Sequence, residues 1–237
     1  MNTILVVKLG STYPQLIAKQ GDFDDWVIRR LDSSKSAARV VNVVAGENLP
    51  QDGFSGAILT GSHNMVTDKL DWSERTAEWL RRQVEKRTPI LGICYGHQLL
   101  TYSLGGVAGP NPKGIEFGSQ KIHLNETAKS DSLFGKMPNE FVGHCCHTQS
   151  ALKLPEGAVC LGGNTHELNH AVRFAENCWG VQFHPEFDAE ATRYYIEQHK
   201  NLLIKQGVDT KKLSAAVRPT LESYALISRF AKEALKI

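Results

Sequence analysis

A chain of 237 residues with 27 Lys and Arg against 25 Asp and Glu carries a formal charge of only +2, so charge points neither to nucleic acid nor to a membrane surface. Its composition, 41% hydrophobic and 22% charged, is that of an ordinary soluble globular protein, long enough to bury a substantial core. The first apolar run, Ile4-Leu5-Val6-Val7, stops at Lys8, too short for a membrane span or a signal-peptide core, and five cysteines are an odd number in a chain too large to need staples. Together these features imply a reduced, cytoplasmic compartment.

The first half alternates strands and helices. Thr3 to Leu9 reads as a strand and Gly10-Ser11-Thr12 as a turn, and a helix over Phe23 to Leu31 follows, with Asp22 as its N-cap. Arg39 to Ala45 and Gly56 to Leu59 read as the second and third strands. A helix from about Trp72 to Arg87 has Asp71 as its cap and Trp72, Ala77, Leu80 and Val84 on one face. Thr88 to Ile93 is a fourth strand, running into a helix that Gly105-Gly106 stops near Leu104.

The second half offers short strands without long helices between them: Ile115 to Leu124, Glu140 to His144, Ala158 to Gly162, Ala171 to Ala175 and Cys178 to Phe183. Ala175-Glu176-Asn177-Cys178 has the look of a hairpin turn. Helices over about Asp188 to Lys205 and Leu213 to Lys236 close the chain. The expected fold is α/β, with a mostly parallel central sheet covered by helices on both faces, flavodoxin-like, and an antiparallel extension in the second half. No Pro/Gly/Ser-rich linker separates the halves, so residues 1–237 read as a single domain.

Chemistry concentrates at Gly92-Ile93-Cys94-Tyr95-Gly96, an apolar strand ending on a cysteine bracketed by glycines. The spacing is that of the strained turn that lifts a nucleophile above a sheet. A sulfur in the first turn of a helix also faces unpaired N–H groups and the positive end of the helix dipole. The other reading of such a cysteine is a buried core residue; partners for a nucleophile decide between the two. Val181-Gln182-Phe183-His184-Pro185-Glu186 supplies them, because in an extended chain residues two apart share a side, so Glu186 can orient the imidazole of His184. Thr60-Gly61-Ser62, after the third strand, offers the N–H of Gly61 as one oxyanion donor, and the N–H of Tyr95 is the second.

Gly92-Ile93-Cys94-Tyr95-Gly96-His97-Gln98, taken with Gly180-Val181-Gln182-Phe183-His184-Pro185-Glu186, resembles the class I glutamine amidotransferases, especially stand-alone relatives of the glutaminase part of GMP synthase. Both motifs are highly specific, and the likeness extends over about Ala57 to Phe187. The resemblance implies that Cys94 attacks the side-chain amide of glutamine, ammonia leaves, and water activated by His184 hydrolyses the γ-glutamyl thioester. It implies that Gln98 contacts the substrate and that His147, Thr148 and Gln149 line its pocket. The substrate is then glutamine or a γ-glutamyl compound and the partner to look for is an ammonia-accepting protein, with no cofactor, metal, nucleic acid or membrane.

One segment departs from the pattern. Many members carry Ser-His-Gly-Asp before the Leu-Pro that is here Leu154-Pro155, whereas Cys146-His147-Thr148-Gln149 keeps the histidine and loses Gly-Asp. A γ-glutamyl peptidase of the same fold, using the same thioester, stays open for that reason, and so does a non-catalytic binding or regulatory homologue. An α/β-hydrolase is set aside because its acid precedes its histidine. His144-Cys145-Cys146-His147 is not read as a metal cluster, since adjacent residues of a strand face opposite sides.

Overall fold

The computed structural model describes residues 3–31 and 37–236. Eleven strands are assigned among them: β1 Thr3–Lys8, β2 Ala37–Asn42, β3 Gly56–Leu59, β4 Ile90–Ile93, β5 Val107–Pro110, β6 Glu116–Leu124, β7 Glu140–His147, β8 Gln149–Lys153, β9 Val159–Gly163, β10 Ala171–Ala175 and β11 Cys178–Val181. The helices are α1 Pro14–Gln20, α2 Phe23–Arg30, α3 Asp71–Glu85, α4 Tyr95–Ser103, α5 Ala189–Gln198, α6 Lys200–Lys205, α7 Thr210–Ala215 and α8 Leu221–Leu235. None of these helices is long and apolar enough to cross a membrane.

Nine strands form one sheet in the order β2-β1-β3-β4-β11-β10-β9-β6-β7. The run from β2 to β11 is parallel and the rest antiparallel. Strands buried on both faces need apolar residues at every position, and Ile4, Leu5, Val6 and Val7 of β1 are all fully buried. Alternate residues feed two cores. Ile4, Val6, Leu91 and Ile93 pack with Leu226, Ile227 and Phe230 of α8, whereas Leu5, Val7 and Ile90 pack with Ala77 and Leu80 of α3 and Leu99 of α4.

Local signals held where the chain itself supplies the bonds. Asp22 caps α2 in a reciprocal capping box with Asp25, and the turn at Ala175–Cys178 closes the β10–β11 hairpin. Several boundaries differ from expectation. Asp71 lies inside α3, whose N-cap is Leu70, and β2 ends at Asn42, where the chain turns toward Gly46. The helix expected over Asp188 to Lys205 breaks at His199, which ends α5 and starts α6. The one expected over Leu213 to Lys236 is interrupted by Arg218-Pro219-Thr220, since proline disfavours helical geometry in the residue before it. Unanticipated are α1, opened by Pro14 at its first turn, and the small sheet pairing β5 with β8, whose Gly109-Pro110 reads locally as a breaker.

β11 also differs from an all-antiparallel second half. It runs antiparallel to β10 but parallel to β4, with Gly180 opposite Gly92 and Val181 opposite Ile93. This seam sets the end of β11 beside the end of β4. Glycine is required there: a Cβ on Gly92 would lie 2.6 Å from the carbonyl of Gly96. Gly92→Ala is therefore expected to lower stability by about 2 kcal/mol or more, read as a shift of the urea unfolding midpoint. A change within about 0.5 kcal/mol, the range of neutral surface substitutions, would show that the turn can relax.

Candidate active site

Cys94 follows β4 and precedes α4 with φ 50° and ψ −100°, a left-handed conformation rare for a residue with a side chain. Two backbone bonds hold it there: Cys94 N–H donates to Val181 O at 2.8 Å, and Gln98 N–H donates to Cys94 O at 3.0 Å. The first ties the turn to β11 and the second begins the helix. The sulfur is thereby lifted to the carboxyl end of the parallel strands, where ligands of such sheets bind, and Cys94 is only 6% exposed.

The chain past β11 is anchored by His184 N–H donating to His144 O at 2.7 Å. The chain bends on both sides of that bridge, at Gln182-Phe183 and at Pro185-Glu186, so it is not the extended run expected from the sequence, and the side chains of His184 and Glu186 meet across the second bend. His184 Nδ1 lies 2.7 Å from Glu186 Oε1, and both residues are buried. Cys94 lies close to His184, since the two residues crowd the same position at Gly61, and the Phe187 ring packs on the imidazole at 4.0 Å between centroids. Burial opposes a charged imidazole, but Glu186 and Cys94 outweigh it and raise His184 to about 10. Gln182 completes the group by donating Nε2–H to Cys94 Sγ at 3.5 Å. Burial pushes up the thiols of Cys145, Cys146, Cys160 and Cys178.

Gly61 lies against this pair: a Cβ there would meet His184 Cε1 at 3.0 Å and Cys94 Cβ at 3.9 Å. Neither Gly61 N–H nor Tyr95 N–H has a backbone acceptor among the described residues, so both are free to serve an oxyanion. Cys94, Tyr95, Gln98, His147, Thr148 and Gln149 line one cavity of about 200 Å³. Gln98 donates Nε2–H to Gln149 O at 2.8 Å and to Gln182 Oε1 at 3.0 Å, which ties the cavity lining to the segment after β11 that carries His184. The Gln149 amide donates to Thr67 Oγ1 at 2.7 Å, and Thr148 Oγ1 lies 3.7 Å from Met65 Sδ.

The opposite wall was not foreseen from the sequence. Tyr13, His63, Tyr195, His199 and Phe117 line it, with His63 Nε2 2.8 Å from Tyr195 Oη and the Tyr13 ring 4.8 Å from that of His63. They come from the cap before α1, the loop after β3, α5 and the residue that ends it, and β6, so no local spacing joins them. Gln182 did leave a trace, since it shares the two-residue spacing of His184 and Glu186. No Asp, Glu, Lys or Arg lines the cavity among the described residues. Cys145 and Cys146 do face apart, Cys145 into the main core and Cys146 into the cavity.

Residues 17–202 match the family described as glutamine amidotransferase class-I. The chain belongs to the class I glutamine amidotransferases. Among its relatives, the GMP synthase [glutamine-hydrolyzing] of Thermosipho africanus is 34% identical over 189 residues, covering 78% of this chain and 33% of that protein. Gamma-glutamyl peptidase 5 of Arabidopsis thaliana is 26% identical over 181 residues, covering 76% of this chain and 72% of the peptidase. The chain thus spans about a third of the length of the GMP synthases it matches. In fold it is similar to a glutamine amidotransferase from Thermotoga maritima, with a TM-score of 0.77 at 19% identity and all of both chains covered. A glutamine amidotransferase from Methylobacillus flagellatus gives 0.69 at 19% identity, with 100% of this chain and 93% of the other covered.

The His184–Glu186 contact has a titration consequence. A histidine raised to about 10 contributes stability that is complete below the free value near 6.5 and is lost as pH rises through about 10. Glu186→Gln should lower the His184 ring titration, followed by NMR, by about one unit or more, and flatten the alkaline slope of stability. A wild-type ring titrating at its ordinary value would refute the coupling.

Proposed function

We propose that the chain hydrolyses glutamine to glutamate and ammonia through a γ-glutamyl thioester on Cys94. The observation that carries this reading is the buried His184–Glu186 pair and Cys94 gathered around Gly61, beside two free backbone N–H groups. In the first step the Cys94 sulfur, its proton held by His184, attacks the amide carbon, and the charge forming on oxygen is met by the N–H groups of Gly61 and Tyr95. His184 then gives its proton to the departing nitrogen, the C–N bond breaks and ammonia leaves. Water attacks the thioester, surrenders a proton to His184, and the C–S bond breaks to release glutamate. Glu186 keeps the ring in one tautomer and stabilises its charged form. Gln182 steadies the sulfur, and the ammonia passes to an acceptor protein.

Cys94→Ala should abolish hydrolysis and His184→Ala should cost nearly as much, while Glu186→Gln costs on the order of 10 to 10³-fold. A chloroketone analogue of glutamine should label Cys94 before the other four cysteines. Mass mapping that finds Cys145, Cys146 or Cys178 modified first would reject the assignment, as would an active Cys94→Ala protein.

A second reading, hydrolysis of γ-glutamyl peptides by the same thioester, is favoured by the cavity. The charged amino-acid end of free glutamine finds no side chain of opposite charge there, and the Thr148-Gln149 pair removes a carboxylate partner for its ammonium. The aromatic wall suits a leaving group larger than ammonia, and the match to a γ-glutamyl peptidase covers most of that relative. Steady-state kinetics on glutamine and a panel of γ-glutamyl dipeptides separates the readings. With glutamine alone, kcat/KM is expected below about 10⁴ M⁻¹s⁻¹, the low end for efficient enzymes, rising with a peptide or an acceptor protein. A higher value for glutamine, with no turnover of peptides, excludes the second reading.

A further inference from the structure

Behind the cavity wall, buried polar groups converge that the hydrolysis does not use. Glu116 on β6 stands directly across from His147 on β7, Cys145 lies two residues before His147 on the same strand, and His170 sits just ahead of β10. All four are buried, with His170 at 0% and Cys145 at 1% exposure.

The His147 ring is committed on one side. Its Nδ1 lies 3.1 Å from the carbonyl oxygen of Gln149, an atom that only accepts, so Nδ1 carries the ring proton. Its Nε2 is 2.9 Å from Glu116 Oε2, where a neutral ring would set one lone pair against another. A second ring proton or a metal cation relieves that contact. The neighbours favour the cation. His170 Nε2 is 3.1 Å from the same carboxylate oxygen, and neither nitrogen of its ring has a hydrogen-bond partner among the described residues. The Cys145 sulfur and the donor atoms of Glu116 and His147 lie within 4.8 Å of one another, and His170 stands just outside that group, on the far side of Glu116, its ring 6.1 Å from that of His147 between centroids. A proton needs only one partner, whereas two imidazoles, a carboxylate and a thiol form a ligand set suited to zinc.

We propose that Glu116, Cys145, His147 and His170 form a buried four-coordinate zinc site that holds β6, β7 and the start of β10 together. Donors around tetrahedral zinc stand about 3.4 Å apart, so the nitrogen–oxygen pairs open slightly while the sulfur and His170 close onto the ion. The outer bonds suit the role: His147 Nδ1–H donates to a backbone carbonyl, and Asn164 Nδ2–H donates to Glu116 Oε1 at 2.7 Å. Binding displaces the thiol proton of Cys145 and the Nε2 proton that holds the metal-free contact, two protons per zinc, both passing to buffer.

The test uses the full chain carrying Cys94→Ala, so that the catalytic sulfur cannot bind metal, stripped with a chelator and titrated with Zn²⁺ against a chromophoric competitor. One equivalent should bind with release of two protons, and Co²⁺ should give a four-coordinate visible spectrum with a thiolate charge-transfer band. Cys145→Ser and His170→Gln should each weaken binding by about 100-fold or more, and Asn164→Ala, an outer partner, by about 10 to 100-fold. Where a ligand variant fails to fold, the Asn164→Ala protein decides. Absence of stoichiometric binding, or binding that these substitutions leave unchanged, overturns the proposal and assigns the contact to a second proton.

Discussion

The left-handed backbone at Cys94 is the constraint on which the rest of the site depends. A side-chain-bearing residue at φ 50° is held against a steric preference of about 1 kcal/mol or more, so its surroundings must over-determine it. Parallel strands on either side of β4, the bond to Val181 O and the close approach of Gly92 to the Gly96 carbonyl do so together. Gly96 is needed for a related reason, since a Cβ there would come within 2.7 Å of Leu59 Cβ. Cys94 thus stands in a turn that the sheet, and not the cysteine, stabilises.

β11 transmits that order to the other half of the site. Among the described strands it is the one that borders both the parallel and the antiparallel parts of the sheet, and its exit carries Gln182, His184 and Glu186 toward Cys94. The backbone bond from His184 to His144 then fixes β7 relative to His184 and Glu186, and β7 ends in the segment that forms the cavity wall. Buried charge is tolerated because it is paired: the imidazole of His184 lies between a carboxylate and a sulfur.

The cavity combines uncharged lining with a charged interior behind it. Tyr13, His63 and Tyr195 form a connected aromatic wall, while Glu116 sits one layer back and is reached through His147. His147 therefore has two neighbourhoods, one facing the cavity and one facing the carboxylate, and its ring is held from behind.

The sequence by itself determined the α/β class, most strands, the strand–cysteine–helix turn and the pairing of His184 with Glu186. Each depends on residues close in the chain: apolar runs, glycine spacing, or two positions only two residues apart, which here meet across a bend and not along an extended strand. Thr148 and Gln149 were legible as a departure from the family pattern, though not what they touch. Tertiary structure alone decided that β11 runs beside β4, that β5 pairs with β8, and that the helices expected at the C-terminal end break at His199 and around Pro219. It also decided which aromatic rings close the cavity and that Glu116, Cys145, His147 and His170 converge. Those outcomes depend on strand order and on contacts between residues tens of positions apart, and no local periodicity encodes them.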